Sequence, residues 1–128
     1  MQRILVVFQR NNERTVIVDT LTRLGFVDEA TSTLEAVRLT DRNIYNLVLA
    51  QRADMFGEMF LDRLHVAGKR LNNVLLVGPA TCPGEIFAER AAVTAFGAGY
   101  LPLNPDCPEV FAALVLRALT NPKFARAA

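Results

Sequence analysis

Five short apolar segments, each followed by a helical pattern, constrain the fold of this 128-residue chain most strongly. The first, Ile4–Phe8, is almost wholly apolar and rich in β-branched residues, which is typical of a strand buried on both faces. The other four are Phe26–Val27, Tyr45–Ala50, Val74–Val77 and Tyr100–Leu101. Strands of this kind that alternate with helices predict a parallel sheet with helices on both faces.

The predicted helices begin at capping signals and end near glycine or proline. Ser32 and Glu35, three residues apart, form a capping box for the second helix, and Asp106 with Glu109 resembles one for the fifth. Gly25 stands where a left-handed cap of the first helix is expected. Right-handed crossovers then favour a doubly wound α/β sheet of strand order 2-1-3-4-5. In such sheets, ligands bind at the carboxyl ends of the strands, where the winding direction reverses.

The composition excludes several classes of protein. The 14 basic and 13 acidic residues leave a net charge of +1, which gives no electrostatic footprint for nucleic acid or an anionic membrane. No apolar run approaches the ~20 residues that span a bilayer, and no signal-peptide pattern is visible. Two cysteines and one histidine are too few for a disulfide scaffold or a cysteine or multi-histidine metal centre. We therefore expect one cytoplasmic domain over residues 1–120 without a cofactor, then a tail or linker start over 121–128.

Four segments resemble the receiver domain of bacterial two-component response regulators, over roughly residues 1–120. Arg3–Val7 is similar to the first strand of that family, and Tyr45–Leu49 is similar to the third. Gly97–Pro102 resembles the segment that enters the fifth strand, and Cys107–Val110 resembles the start of the last helix. The resemblance implies a flavodoxin-like, receiver-like (βα)5 fold and a role in phosphorelay signalling.

The resemblance also identifies the positions that carry the phosphorylation chemistry of the family. There, an aspartate after the third strand accepts a phosphoryl group, carboxylates after the first strand hold Mg²⁺, and a hydroxyl and a lysine contact the phosphoryl oxygens. In this chain the paired acidic positions are Phe8 and Gln9, the acceptor position is Gln51, the hydroxyl position is Gly78 and the lysine position is Leu103. None of these side chains can take over its role, so the resemblance implies a degenerate pseudo-receiver without aspartyl phosphorylation.

The same sheet edge has structural interpretations that need no ligand. We expect Phe8 to fill the space of the acid cluster, and Gln9 and Gln51 to bond to each other or to water. Arg10 and Arg52 follow these glutamines directly and are either solvated or together hold an anion in the crevice between the first and third strands.

Other reactive side chains are not placed to work as a set. Asp54 is the nearest alternative phosphoacceptor, but no second carboxylate is placed to hold a metal with it. Cys82 and Cys107 follow adjacent strands, and a disulfide between them would need α-carbons within about 7 Å. His65 is interpreted as an ordinary helix residue. A dense apolar cluster opens the third helix and is expected to be partly core and partly an exposed patch, at Met55, Phe56, Met59 and Phe60.

The leading interpretation is a receiver-like signalling module that is not an enzyme and acts by contact with a protein partner or a second copy of the chain. The alternative is a small-ligand or anion sensor that uses the crevice and the two arginines, Arg10 and Arg52. Tyr100 stands at an aromatic position on the fifth strand that the family uses in signalling. We expect it to hold one orientation on a partner-binding face, so that Tyr100→Ala weakens binding and leaves the melting temperature nearly unchanged. A half-buried strand residue without that role is the open alternative.

Overall fold

A five-stranded parallel sheet forms the centre of the protein, for which the computed structural model describes residues 2–9, 11–52 and 56–126. The strands are β1 (Arg3–Val7), β2 (Phe26–Ala30), β3 (Leu47–Gln51), β4 (Val74–Pro79) and β5 (Gly99–Leu103). The helices are α1 (Asn11–Leu21), α2 (Thr33–Arg42), α3 (Phe56–Val66), α4 (Pro83–Thr94) and α5 (Pro108–Thr120). The strand order is β2-β1-β3-β4-β5, which confirms the predicted doubly wound topology.

Two apolar cores lie on opposite faces of the sheet. On one face, Ile17 of α1 and Phe111 of α5 pack with alternate residues of the strands. On the other face, Phe60 and Leu64 of α3 and Val93 of α4 pack with the remaining strand residues. The central strands β1 and β3 therefore contact apolar side chains on both faces, as their continuous apolar sequences predict.

Two predicted details of the helices differ in the structure. Gly25 is not a left-handed cap, since only Gly68 and Gly97 among the glycines have a positive φ. A Cβ at Gly25 would instead overlap the backbone carbonyl of Gln2, so close chain approach requires the glycine. Helix α5 begins at Pro108 without a side-chain cap, because proline at the first helical position fixes the start by itself.

The structure confirms Ser32 as the N-terminal cap of α2. The Ser32 hydroxyl accepts a hydrogen bond of 3.2 Å from the backbone N–H of Glu35. In α3, Phe60 and Leu64 are buried, and Ala67, which follows the last residue of the helix, is exposed.

The segment after α5 packs against the domain. A short 3₁₀ helix spans Pro122–Ala125, and Ala125 is fully buried beside Gly99. Arg126 then donates a hydrogen bond of 2.8 Å to the carbonyl oxygen of Gly97. The expected domain boundary after residue 120 therefore lies inside the packed part of the chain.

Among the described residues, no helix has both the length and the apolar character needed to cross a bilayer.

Candidate functional site

The carboxyl ends of β1 and β3 meet at a buried glutamine. Gln51, the last residue of β3, is 2% exposed and is the buried polar residue of the core. Its side-chain Oε1 accepts a hydrogen bond of 3.0 Å from the backbone N–H of Gln9, and its Nε2 donates one of 3.3 Å to Oε2 of Glu13. The predicted bond between the two glutamines is thus present, but it uses the main chain of Gln9, whose side chain points to solvent. At the position that corresponds to the phosphoacceptor of receiver domains, the end of β3 therefore carries a neutral, hydrogen-bonded amide.

Phe8 follows β1, next to this end of the sheet. Its side chain is fully buried and belongs to the core on the α1–α5 face. Its carbonyl oxygen accepts a hydrogen bond of 3.1 Å from Nη1 of Arg14, whose Nε lies 3.3 Å from a carboxylate oxygen of Glu29. The hydrogen bond therefore joins the end of β1 to α1, and the ion pair joins α1 to β2.

Arg52 joins two helices by ion pairs. Its Nη2 lies 3.0 Å from Oε1 of Glu58 on α3, and its Nε lies 3.2 Å from Oε2 of Glu89 on α4. The interpretation of Arg52 as a solvated side chain is wrong, because its side chain is only 22% exposed and two carboxylates neutralise it. The same pairing weakens the anion-binding alternative, because the guanidinium already has two carboxylate partners. Its proposed partner Arg10 lies outside the described residues.

Gly78 and Tyr100 fit together across β4 and β5. The strands align Leu76 with Tyr100, so Gly78, two residues further along β4, lies diagonally beside the tyrosine on the same face. A Cβ on Gly78 would overlap the Tyr100 hydroxyl oxygen and lie 3.0 Å from the ring carbons Cε2 and Cζ. The tyrosine ring thus fills the space that a side chain on Gly78 would need.

The Tyr100 side chain is a core residue in this arrangement. It is 2% exposed, and its hydroxyl donates a hydrogen bond of 3.2 Å to the carbonyl oxygen of Pro79. Burial raises the pKa of the phenol, and the nearby Glu89 carboxylate adds to the increase. The expectation that Tyr100→Ala would leave the melting temperature nearly unchanged does not fit a side chain buried to this extent, because truncating it opens a cavity. Its role at a partner interface stays a prediction.

A cavity of about 160 Å³ remains at the carboxyl edge of the sheet. Its lining includes Glu13, Gln51, Arg52, Gly78 and Leu103. Leu103 is 6% exposed and packs in the core on the α1–α5 face, so it presents no cation to this cavity. The structure therefore places Gln51, Gly78 and Leu103 around one cavity, with Arg52 in the same lining.

The described lining of this cavity offers a metal ion one carboxylate, that of Glu13. Of the residues lining the cavity, Glu13 is the single acid, and its Oε2 already accepts a hydrogen bond from Gln51. Within the described residues, no group of three or more histidine, cysteine, aspartate or glutamate side chains could hold a metal ion. Asp54, the alternative acceptor, lies outside the described residues. Because Mg²⁺ in proteins relies on carboxylate oxygens, the described lining does not fit the divalent site of the family.

The sequence analysis missed Glu13, Arg14, Glu58 and Glu89, which make the polar contacts of this edge. A usable signal existed for three of them, because Glu13 and Glu58 lie in the first turns of α1 and α3 and Arg14 follows Glu13. The first turn of a helix that follows a parallel strand lies at the carboxyl edge of the sheet. Glu89 lies in the second turn of α4, and its contact with Arg52 depends on how that helix packs.

The other reactive residues do not join this site. Cys82 and Cys107 are free thiols that precede the prolines at the starts of α4 and α5. His65 lies exposed near the end of α3. In the apolar cluster of α3, Phe60 is buried and Met59 is about half exposed, while Met55 lies outside the described residues.

Known proteins resemble this chain in structure. Neither protein-family profiles nor curated protein sequences give a match to it. The chemotaxis protein CheY4 of Vibrio cholerae is similar with a TM-score of 0.71 and 22% identity, over 91% of this chain and 98% of that one. TrrA of Thermotoga maritima, solved in complex with Mg²⁺-BeF, is similar with a TM-score of 0.64 and 20% identity, over 93% of this chain and 99% of that one. An orphan response regulator of H. pylori is similar with a TM-score of 0.69 and 20% identity, over 92% and 96%.

These neighbours and the strand order agree on one architecture. The sheet order 2-1-3-4-5 with five flanking helices is shared over nearly the whole chain. The protein therefore has the flavodoxin-like fold of CheY-like response regulator receiver domains.

Proposed function

We propose that this chain is a cytoplasmic, receiver-like signalling module that acts through contact with a protein partner and takes no phosphoryl group on an aspartate. It is a binding module and not an enzyme. The observation that carries the proposal is Gln51, a buried amide at the end of β3 whose two polar atoms are both engaged in hydrogen bonds.

The chemistry of the site supports this proposal. An amide in place of a carboxylate cannot form an acyl phosphate in the same way, and it carries no negative charge to attract a metal. Phe8 fills the neighbouring space with apolar volume, so the carboxylates that would hold Mg²⁺ are missing there. Phosphoryl transfer depends on positioned cations, and Leu103 supplies none.

Helix α4 supplies a candidate surface for the partner. It buries one residue, Val93, among its twelve, and the outward side carries small and aromatic apolar residues. Phe87 is 67% exposed and Phe96, just after the helix, is 57% exposed. The exposed residues between them are Ala88, Ala91, Ala92 and Ala95. We name this surface the α4 face; exposed apolar patches of this kind mark protein interaction sites.

The first experiment tests whether the end of β3 binds Mg²⁺ and beryllofluoride, with which TrrA was solved in complex. A ligand that binds only the folded state raises the melting temperature by mass action, so we expect no increase in this protein when both are added. TrrA, which was solved in complex with Mg²⁺-BeF, serves as the positive control. A rise in melting temperature that requires both Mg²⁺ and beryllofluoride would overturn the proposal.

The second experiment tests the α4 face once a partner is in hand. Phe87→Ala should weaken partner binding about tenfold or more, because large apolar side chains at interfaces carry most of the binding energy. Phe26→Ala is the matched control, since Phe26 is 63% exposed on β2 at the other edge of the sheet. Weaker binding with Phe26→Ala and unchanged binding with Phe87→Ala would place the contact elsewhere.

A further inference from the structure

A second apolar surface lies between α2 and α3, on the face of the sheet that α4 also covers. It is an open groove of about 440 Å³, which we call the α2–α3 groove. Its lining consists of Leu34, Val37, Met59, Asp62, Arg63, Val66 and Ala67. Four of these seven residues are large and apolar: Val37 is half-buried against the core, whereas Leu34, Met59 and Val66 are exposed.

The exposure of these side chains is not explained by the core of the domain. Helix α3 already contributes Phe60, Leu61 and Leu64 to the core beneath it. Its opposite side carries Met59, about half exposed, and Val66, which is 79% exposed. Large apolar side chains that gather in one groove and face solvent are typical of an interaction surface.

The two helices form a fixed platform for this groove. Residues of α2 and α3 lie side by side, with α-carbons within 8 Å of each other. An ion pair of 2.6 Å also joins Asp41, near the end of α2, to Lys69, in the segment that follows α3. The groove therefore has walls that are held together within one copy of the chain.

The charges in the groove indicate what would cover it. Asp62 and Arg63 are neighbours in sequence, and adjacent positions on a helix do not face each other, so they do not pair with one another. Within residues 2–9, 11–52 and 56–126, neither side chain has an ion-pair partner. One acid and one base in an apolar groove make a lining without net charge.

We infer that the α2–α3 groove is the contact between two copies of this chain, related by a two-fold axis. In such an interface, residue i of one copy contacts residue j of the other and the reverse contact also forms. Asp62 then lies opposite Arg63 of the partner subunit, and the second ion pair follows from symmetry. Leu34, Met59 and Val66 form the apolar centre. The α4 face stays open in this dimer, so the inference does not depend on the proposed function.

The first test is the mass of the protein in solution. Analytical ultracentrifugation at about 100 µM protein should show a dimer, because that concentration populates any dimer with a micromolar dissociation constant. Val66→Lys should raise the dissociation constant at least tenfold and leave the fold intact, since Val66 is exposed. Leu116→Lys, on the exposed side of α5 across the sheet, is the matched control and should leave the dimer unchanged. A monomer at this concentration, or a dimer that Val66→Lys does not weaken, would overturn the inference.

A charge-swap experiment tests the predicted register of the interface. Asp62→Arg alone and Arg63→Asp alone should each weaken self-association at least tenfold, because each places like charges opposite each other. Mixing the two variants should restore dimers made of one copy of each, since every contact between positions 62 and 63 then joins an arginine to an aspartate. Failure of the mixture to associate would show that these two side chains do not face each other across the interface.

Discussion

Replacing Gly78 by alanine tests the close fit between β4 and the Tyr100 ring. A Cβ at this position would overlap the tyrosine hydroxyl oxygen and crowd two ring carbons at 3.0 Å. Overpacking of a well-packed core costs about 1–3 kcal/mol. Alanine in a strand is favoured over glycine by roughly 0.5–1 kcal/mol, which offsets part of that cost. We therefore expect Gly78→Ala to lower the free energy of unfolding by about 1–2 kcal/mol.

The same substitution in a protein that lacks the Tyr100 ring tests whether the ring causes the loss of stability. In a Tyr100→Leu protein the crowded atoms are gone, so Gly78→Ala should become neutral or stabilise the fold by up to about 1 kcal/mol. The coupling energy of the double-mutant cycle should be about 2 kcal/mol, measured by urea unfolding. Gly84→Ala is the control, because a Cβ on Gly84 meets nothing within 4 Å and alanine favours the helix. A coupling energy below about 0.5 kcal/mol would refute the steric argument.

Two further predictions concern the buried Tyr45 and the segment that follows α5. Burial and the hydrogen bond to Asp28 raise the pKa of Tyr45 from 10.0 to about 12. The stabilisation that comes from the neutral phenol is therefore fully present below pH 10 and is lost as the pH rises to 12. Urea unfolding against pH should show this loss in the natural protein and a shallower decline in Tyr45→Phe; equal slopes would contradict it. Deleting residues 121–128 should lower the free energy of unfolding by about 1–3 kcal/mol, because Ala125 is fully buried, and an unchanged value would contradict that packing.

The central strands could be predicted because burial on both faces leaves a continuous apolar sequence. β1 and β4 show this pattern directly. β2 was harder to recognise, since it lies at the edge of the sheet and carries Asp28 and Glu29 within its five residues. An edge strand with one exposed side needs fewer apolar residues, and charged side chains there limit pairing with other chains.

The positions of Gln51, Gly78 and Leu103 near the carboxyl edge of the sheet could be predicted, but the contacts at this edge and the residues that make them could not. The position of Gln51 at the end of β3 follows from the strand pattern alone. The fit of Gly78 to Tyr100 depends on the register of two strands separated by a helix, which no local pattern specifies. The ion pairs of Arg52 likewise depend on how α3 and α4 pack, so the sequence alone does not distinguish an arginine that binds an anion from a half-buried arginine paired with two carboxylates.

The central claim is that this receiver fold takes no phosphoryl group at the end of β3. Incubation with acetyl phosphate and Mg²⁺, followed by intact-mass measurement, tests it most directly, and TrrA is treated in the same way for comparison. We predict that the natural protein gains no phosphoryl mass. Gln51→Asp should gain none either, because Phe8 and Gln9 still supply no carboxylate for the metal. A stoichiometric adduct on the natural protein that is stable in acid and labile in base would contradict the account.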